Sequence, residues 1–155
     1  MLECPKILIK KSARTLELFD GDSLVKIFPI VLGCSAEGKK EIEGDGRTPE
    51  GKFYVFTKNP ESKFHLSLGI SYPDVKAAIR GLTAGLVTPE EHDAIVDAIR
   101  ENKRPLQKTR LGGEIYIHGG GTDGDWTEGC VALENAEIEK LFAAVPVGCP
   151  VTIVA

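Results

Sequence analysis

His118 and Cys130 are the two side chains whose types and placement fit covalent acyl transfer. His118 ends the run Glu114-Ile115-Tyr116-Ile117-His118 and opens onto Gly119-Gly120-Gly121; Cys130 follows Gly129 at the far end of the same loop. A thiol attacks a carbonyl as thiolate, so it needs a base or a positive charge beside it. A base at a strand end and a thiol at the end of the returning loop can come within hydrogen-bond reach of each other. Gly129 permits a tight turn before Cys130, which makes the N–H groups of Gly129 and Cys130 candidates for an oxyanion hole. The same residues also fit a plain glycine-rich hairpin loop, and residue types alone leave both readings open.

The neighbours divide in the same way. Trp126 fits a groove wall or a loop anchor. Glu128 fits a carboxylate at a cleft mouth or a solvated side chain. His65 and Ser67 share a strand face opposite Phe64, Leu66, Leu68 and Ile70, so His65 can line a cleft or sit in solvent. Arg47 belongs to a surface turn, and His92 lies on the apolar stripe of a helix. The remaining cysteines, Cys4, Cys34 and Cys149, form no C-x-x-C pair and have no His at zinc-finger spacing. No metal site and no cofactor are expected, and Cys34 and Cys149 are expected to be structural thiols at strand ends.

The elements that must position these groups are mostly strands. Ile7 and Ile9 alternate with polar residues, as do Leu16 and Leu18 ahead of the hairpin signal Asp20-Gly21. Val25 to Leu32 follows, with Pro29 removing a ladder donor and so marking an edge or a bulge. Phe53 to Thr57, Phe64 to Ile70, Glu114 to His118 and Val151 to Val154 complete the strands. Between them, Thr88-Pro89-Glu90-Glu91 predicts a capped helix start, with His92, Ile95, Val96 and Ile99 as its buried stripe. Asp74 to Arg80 predicts a shorter helix. Asn135 is the expected N-cap of a last helix, with Ile138, Leu141, Phe142 and Val145 facing inward. Strand-rich ends around a helical middle predict one mainly β (α+β) domain over residues 1–155 with two or three helices.

Composition narrows the function classes. The 155 residues are 42% hydrophobic and 27% charged, an ordinary globular balance. A net charge of −4 argues against a nucleic-acid partner. No apolar run is long enough for a transmembrane segment. The opening Met-Leu-Glu-Cys-Pro-Lys lacks the order of a signal peptide, and composition leaves cytoplasmic and exported locations both open.

Thr127-Glu128-Gly129-Cys130-Val131, with Ile117-His118-Gly119 upstream, resembles the active-site signature of the L,D-transpeptidase (YkuD-type) family. Other segments resemble that family in order along nearly the whole chain: Leu16 to Phe19, Pro29 to Gly33, Gly46-Arg47-Thr48-Pro49-Glu50-Gly51-Lys52-Phe53, Gly69 to Pro73, and Gly148 to Ile153. The resemblance implies a β-sandwich or barrel catalytic domain that acts on peptidoglycan stem peptides in the periplasm or cell envelope. It implies Cys130 as nucleophile, His118 as base, the Gly119 carbonyl as its orienter, Gly129 and Cys130 as oxyanion donors, and Thr127 among the substrate-side residues. Transfer to an amine, hydrolysis by water, and a non-catalytic wall-binding module are the readings it leaves. Glu128 stands where the family carries a second His, Ala132 stands where it carries Arg, and the His-to-Cys separation of 12 is short. These departures bear on acceptor and leaving-group preference.

Overall fold

The computed structural model describes residues 2–155. Its strands are β1 (Pro5–Lys10), β2 (Thr15–Asp20), β3 (Ser23–Pro29), β4 (Gly51–Ser62), β5 (His65–Ile70), β6 (Tyr116–His118), β7 (Val131–Ala132) and β8 (Pro150–Val154). Its helices are α1 (Val75–Thr83), α2 (Pro89–Arg100) and α3 (Asn135–Ala144). The strands form one sheet in the order β3-β2-β1-β8-β4-β5-β6-β7. The β1–β8 and β6–β7 pairs are parallel and the rest antiparallel.

Alternation sets the inner face. Ile7, Ile9, Leu16 and Leu18 point inward from β1 and β2, and Val151 and Ile153 from β8. They join Val55, Leu68, Ile70, Ile117 and Val131 in one buried cluster, closed on one side by Ile138 and Leu141 of α3. Past the end of β3, Val31 exchanges backbone hydrogen bonds with Ala132 of β7, both 3.0 Å. The two edges therefore meet, and the sheet curls into a half-barrel.

The mainly β architecture with three helices matches the sequence expectation, and several boundaries differ. The strand expected over residues 25–32 ends at Pro29, at the edge of the sheet, because the chain beyond it crosses to β7. Glu114 and Ile115 lie outside β6. Ser67, expected on the strand face opposite Leu66, Leu68 and Ile70, is buried as Leu68 and Ile70 are, since β5 is covered on both sides from Ser67 onward. Asp74 caps α1 through its carboxylate (2.9 Å to the Ala77 N–H), and the Thr88–Glu91 capping box of α2 is formed. Asn135 is not an N-cap. It is the first residue of α3, Glu134 precedes it without a side-chain cap bond, and the Asn135 amide oxygen accepts the Gly120 N–H at 2.9 Å.

Ile117 sits at the centre of β6 with no exposed surface and carries the strand on which His118 stands. Ile117→Ala is expected to lower unfolding free energy by about 2–5 kcal/mol through lost burial and an unfilled cavity, measured by equilibrium denaturation. A loss below that range would mean β6 is not anchored by this side chain.

Candidate active site

The β6–β7 register brings His118 and Cys130 onto neighbouring strands. Ile117 pairs with Val131 and His118 with Ala132, so Cys130 lies beside Tyr116. Alternation puts Tyr116 and His118 of β6 on the face away from the buried Ile117, and Cys130 immediately precedes β7. His118 and the Cys130 turn thus stand on adjacent segments of the sheet. No hydrogen bond joins the thiol and the imidazole among the described residues. The Cys130 thiol donates instead to the Glu114 carbonyl (3.4 Å) and accepts from the Tyr116 N–H (3.4 Å).

His118 is buried at 3% exposure. Its Nδ1 donates to the Gly119 carbonyl at 2.6 Å, which leaves Nε2 with its lone pair. The ring stacks on Phe64 (centroids 4.6 Å apart, 25° between planes) and lies 5.6 Å from the Trp126 ring. Burial lowers the imidazole pKa below its ordinary value, opposed by the Gly119 carbonyl, so the ring is neutral near pH 7. A neutral imidazole with a free Nε2 is competent as a base.

Cys130 is half-buried. Burial pushes its thiol up to about 11; the Glu114 and Glu128 carboxylates add to the shift, and the Tyr116 N–H and the Lys40 ammonium oppose it. The resting thiol is therefore protonated. It opens into a cavity of about 310 Å³ lined by Cys34, Lys40, Glu114 and Glu128 together with glycine backbone at positions 44, 46 and 113.

The other expected site residues fall into distinct places. Thr127 is buried; its hydroxyl donates to the Cys130 carbonyl (2.7 Å) and accepts the Gly129 N–H (3.2 Å). It holds the turn under the nucleophile, and the Gly129 N–H is occupied by that contact. Glu128 lines the cavity. Trp126 anchors the loop through its indole N–H to the Gly121 carbonyl (2.9 Å) and an edge contact with Phe64. His65 lies outside this cavity, with its Nε2 2.8 Å from Glu139 on α3. Cys149 is buried as expected, whereas Cys34 is exposed and stands on the cavity wall. His92 is half-buried beside Asp93. No cluster of potential metal ligands occurs among the described residues.

Two groups escaped sequence reasoning. Asp125 accepts the Leu32 N–H (2.9 Å) and pairs with Arg14 (2.6 Å), tying the 119–129 loop to the opposite edge of the half-barrel. The Arg14 guanidinium, aided by the Leu32 N–H, holds the Asp125 carboxyl below its usual range. Its place inside Asp-Trp-Thr, next to the motif, was the available signal. Lys40 lies in a loop whose sequence is mostly turn formers and charges, with no periodic pattern to mark one lysine from the next.

The family model of the L,D-transpeptidase catalytic domain (YkuD) matches residues 5–153. The chain belongs to that family. Among curated proteins, none matches it. The fold is similar to that of the helical cell shape determining protein Pgp2 from Campylobacter jejuni (TM-score 0.66, 21% identity, 97% of this chain and 47% of that one). It is also similar to Bd1075 from Bdellovibrio bacteriovorus (TM-score 0.62, 22% identity, 99% and 48%). A third similar structure is L,D-transpeptidase 1 from Mycobacterium tuberculosis (TM-score 0.58, 14% identity, 98% and 62%). This L,D-transpeptidase-family chain thus spans about half the length of the first two. At these identities the likeness is one of fold.

Gly129 has φ +135°, and a Cβ there would lie 2.8 Å from the Arg47 carbonyl oxygen. Gly129→Ala is therefore expected to displace the turn and lower stability by about 1–3 kcal/mol, read by denaturation alongside the alkylation rate of Cys130. Wild-type stability and rate together would show that the turn has slack. The raised thiol pKa gives a second expectation. In the free protein, alkylation of Cys130 by iodoacetamide, followed by peptide mapping, keeps rising with pH and shows no plateau below about 11. A plateau near neutral pH would mean that a base already activates the thiol.

Proposed function

We propose that this domain is a cysteine acyltransferase acting on peptidoglycan stem peptides in the cell envelope. What supports the reading is the family match together with one geometric observation: a neutral, Nδ1-tethered imidazole stands on β6, and the thiol stands on the turn that leads into the adjacent parallel strand β7. The resting thiol points its proton at the Glu114 carbonyl. On the proposed pathway the side chain leaves that contact and turns toward His118 Nε2.

In the proposed reaction, His118 Nε2 takes the thiol proton and the Cys130 sulfur adds to the carbonyl between an L- and a D-residue. The developing oxyanion is met by the Cys130 N–H, since the Gly129 N–H is held by Thr127. The carbon–nitrogen bond breaks, and the leaving amine receives the proton from the imidazolium. The thioester on Cys130 is then attacked by an amine, which gives a new amide, or by water, which gives an acid; His118 removes the attacking proton and returns it to the sulfur.

Intact-protein mass spectrometry after incubation with a tetrapeptide stem or a carbapenem is the direct test, and an adduct mapped to Cys130 is expected. Cys130→Ala and Cys130→Ser should lose the adduct and all turnover. Retention of function by Cys130→Ala would indicate a wall-binding module. His118→Ala should slow acylation by about two to four powers of ten. Product analysis with and without an added amine separates transfer from hydrolysis.

A further inference from the structure

The cavity that Cys130 opens into contains an ammonium that this mechanism does not use. Lys40 has a side chain only 3% exposed, and it is the cation among the lining residues. Its Nζ donates to Asp45 Oδ1 (2.9 Å) and to the Ile42 carbonyl (3.1 Å). An ammonium has three N–H bonds, so one remains without a protein acceptor among the described residues. The stem is clamped: a Cβ on Gly112 would lie 2.8 Å from Lys40 Cε and 3.2 Å from Nζ. Asp45 cannot serve the amine better, because its two oxygens also accept the N–H groups of Glu41 (2.8 Å), Ile42 (3.1 Å) and Arg47 (3.1 Å).

Asp45 compensates the charge, but a buried N–H left without an acceptor is costly, and an acceptor oxygen in the cavity would complete the shell. The Lys40 charge also reaches the nucleophile, where it opposes the other influences that hold the thiol protonated. The remaining charged side chains of the wall, Glu43, Glu114 and Glu128, are acidic. Lys40, paired with Asp45, is therefore the one cationic donor on an otherwise acidic wall, and its spare N–H is the point at which a carboxylate can be held.

We propose that Lys40 is a specificity residue that takes a free carboxylate of the peptidic acyl donor as its carbonyl settles on Cys130. This rests on the acyl-transfer reading above, and the experiment separates the two. In the first arm, Cys130 is alkylated with iodoacetate and with iodoacetamide, and the ratio of the two rates is compared between proteins. The neutral reagent reports thiol reactivity and the charged one adds the pull of the ammonium. Lys40→Gln should lower the ratio roughly three- to tenfold. Asp45→Asn frees the ammonium from its carboxylate and should raise it. An unchanged ratio in Lys40→Gln overturns the proposal, as does a fall in both variants, which would report collapse of the loop. If Lys40→Gln does not fold, Asp45→Asn carries the test, and a ratio that fails to rise overturns it.

In the second arm, acylation of Cys130 by a tetrapeptide is compared with acylation by its C-terminal amide. Wild type should prefer the free carboxylate, and Lys40→Gln should lose that preference, the ratio of the two rates falling toward one whatever the change in the amide rate itself. Absence of any acylation of wild type, with an altered alkylation ratio, sinks the acyl-transfer reading and upholds Lys40 as an anion contact. Acylation with an undiminished preference in Lys40→Gln does the reverse.

Discussion

Three backbone segments crowd together beneath the nucleophile, and the site depends on there being no side chains between them. A Cβ on Gly33 would lie 2.9 Å from both the N and the Cα of Gly129. One on Gly46 would lie 2.6 Å from the Cys34 sulfur, and one on Gly129 2.8 Å from the Arg47 carbonyl oxygen. Short hydrogen bonds follow from this closeness: Cys34 N–H to the Thr127 carbonyl (2.9 Å), Ser35 N–H to the Gly46 carbonyl (3.0 Å) and Gly33 N–H to the Thr48 hydroxyl (3.3 Å). They pin both ends of the 35–45 loop against the Cys130 turn. The cavity wall, with Lys40 and Asp45 in it, is a product of that pinning.

Much of this was legible because local chemistry and global fold agree. The Thr88–Glu91 capping box, the inward stripe of α2 and the alternation of β1 and β2 are local signals, and the fold keeps them. The His118–Cys130 pairing was legible as residue types at the two ends of one loop. What escaped is set by distant partners. Asn135 has the composition of an N-cap, yet its amide is used by Gly120 across the loop. Ser67 alternates like a half-exposed strand residue, but its strand is covered on both faces. Lys40 looks like one more surface charge until Gly112 and Asp45 close on it, and neither lies next to it in the sequence.

The electrostatics of the site favour an uncharged resting state. His118 is neutral because burial outweighs its one carbonyl contact, and Cys130 is protonated because burial and two carboxylates outweigh one N–H and one ammonium. A thiol–imidazole ion pair would have to be created between a buried imidazole and a half-buried thiol without prior charge on either member. An incoming peptide that brings a carboxylate to Lys40 alters that balance only locally. The cost of separating charge therefore falls within the catalytic cycle and not in the free protein, which leaves the idle sulfur in the form that resists oxidation.

The position of β8 has a consequence for how the molecule assembles. β8 lies between β1 and β4, so the ladder consists of a meander of β1, β2 and β3 on one side and β4 through β7 on the other, with the five residues of β8 as the joint. While the chain is being synthesised or threaded, the first meander has its hairpins but an open edge at β1, and its partner strand is separated from it by almost the entire sequence. Loop closure over that separation precedes any gain from the pairing. The half-barrel that carries the nucleophile therefore completes its ladder only after β8 has emerged, and until then β1 and β4 are exposed edges that a chaperone or a second nascent chain can occupy.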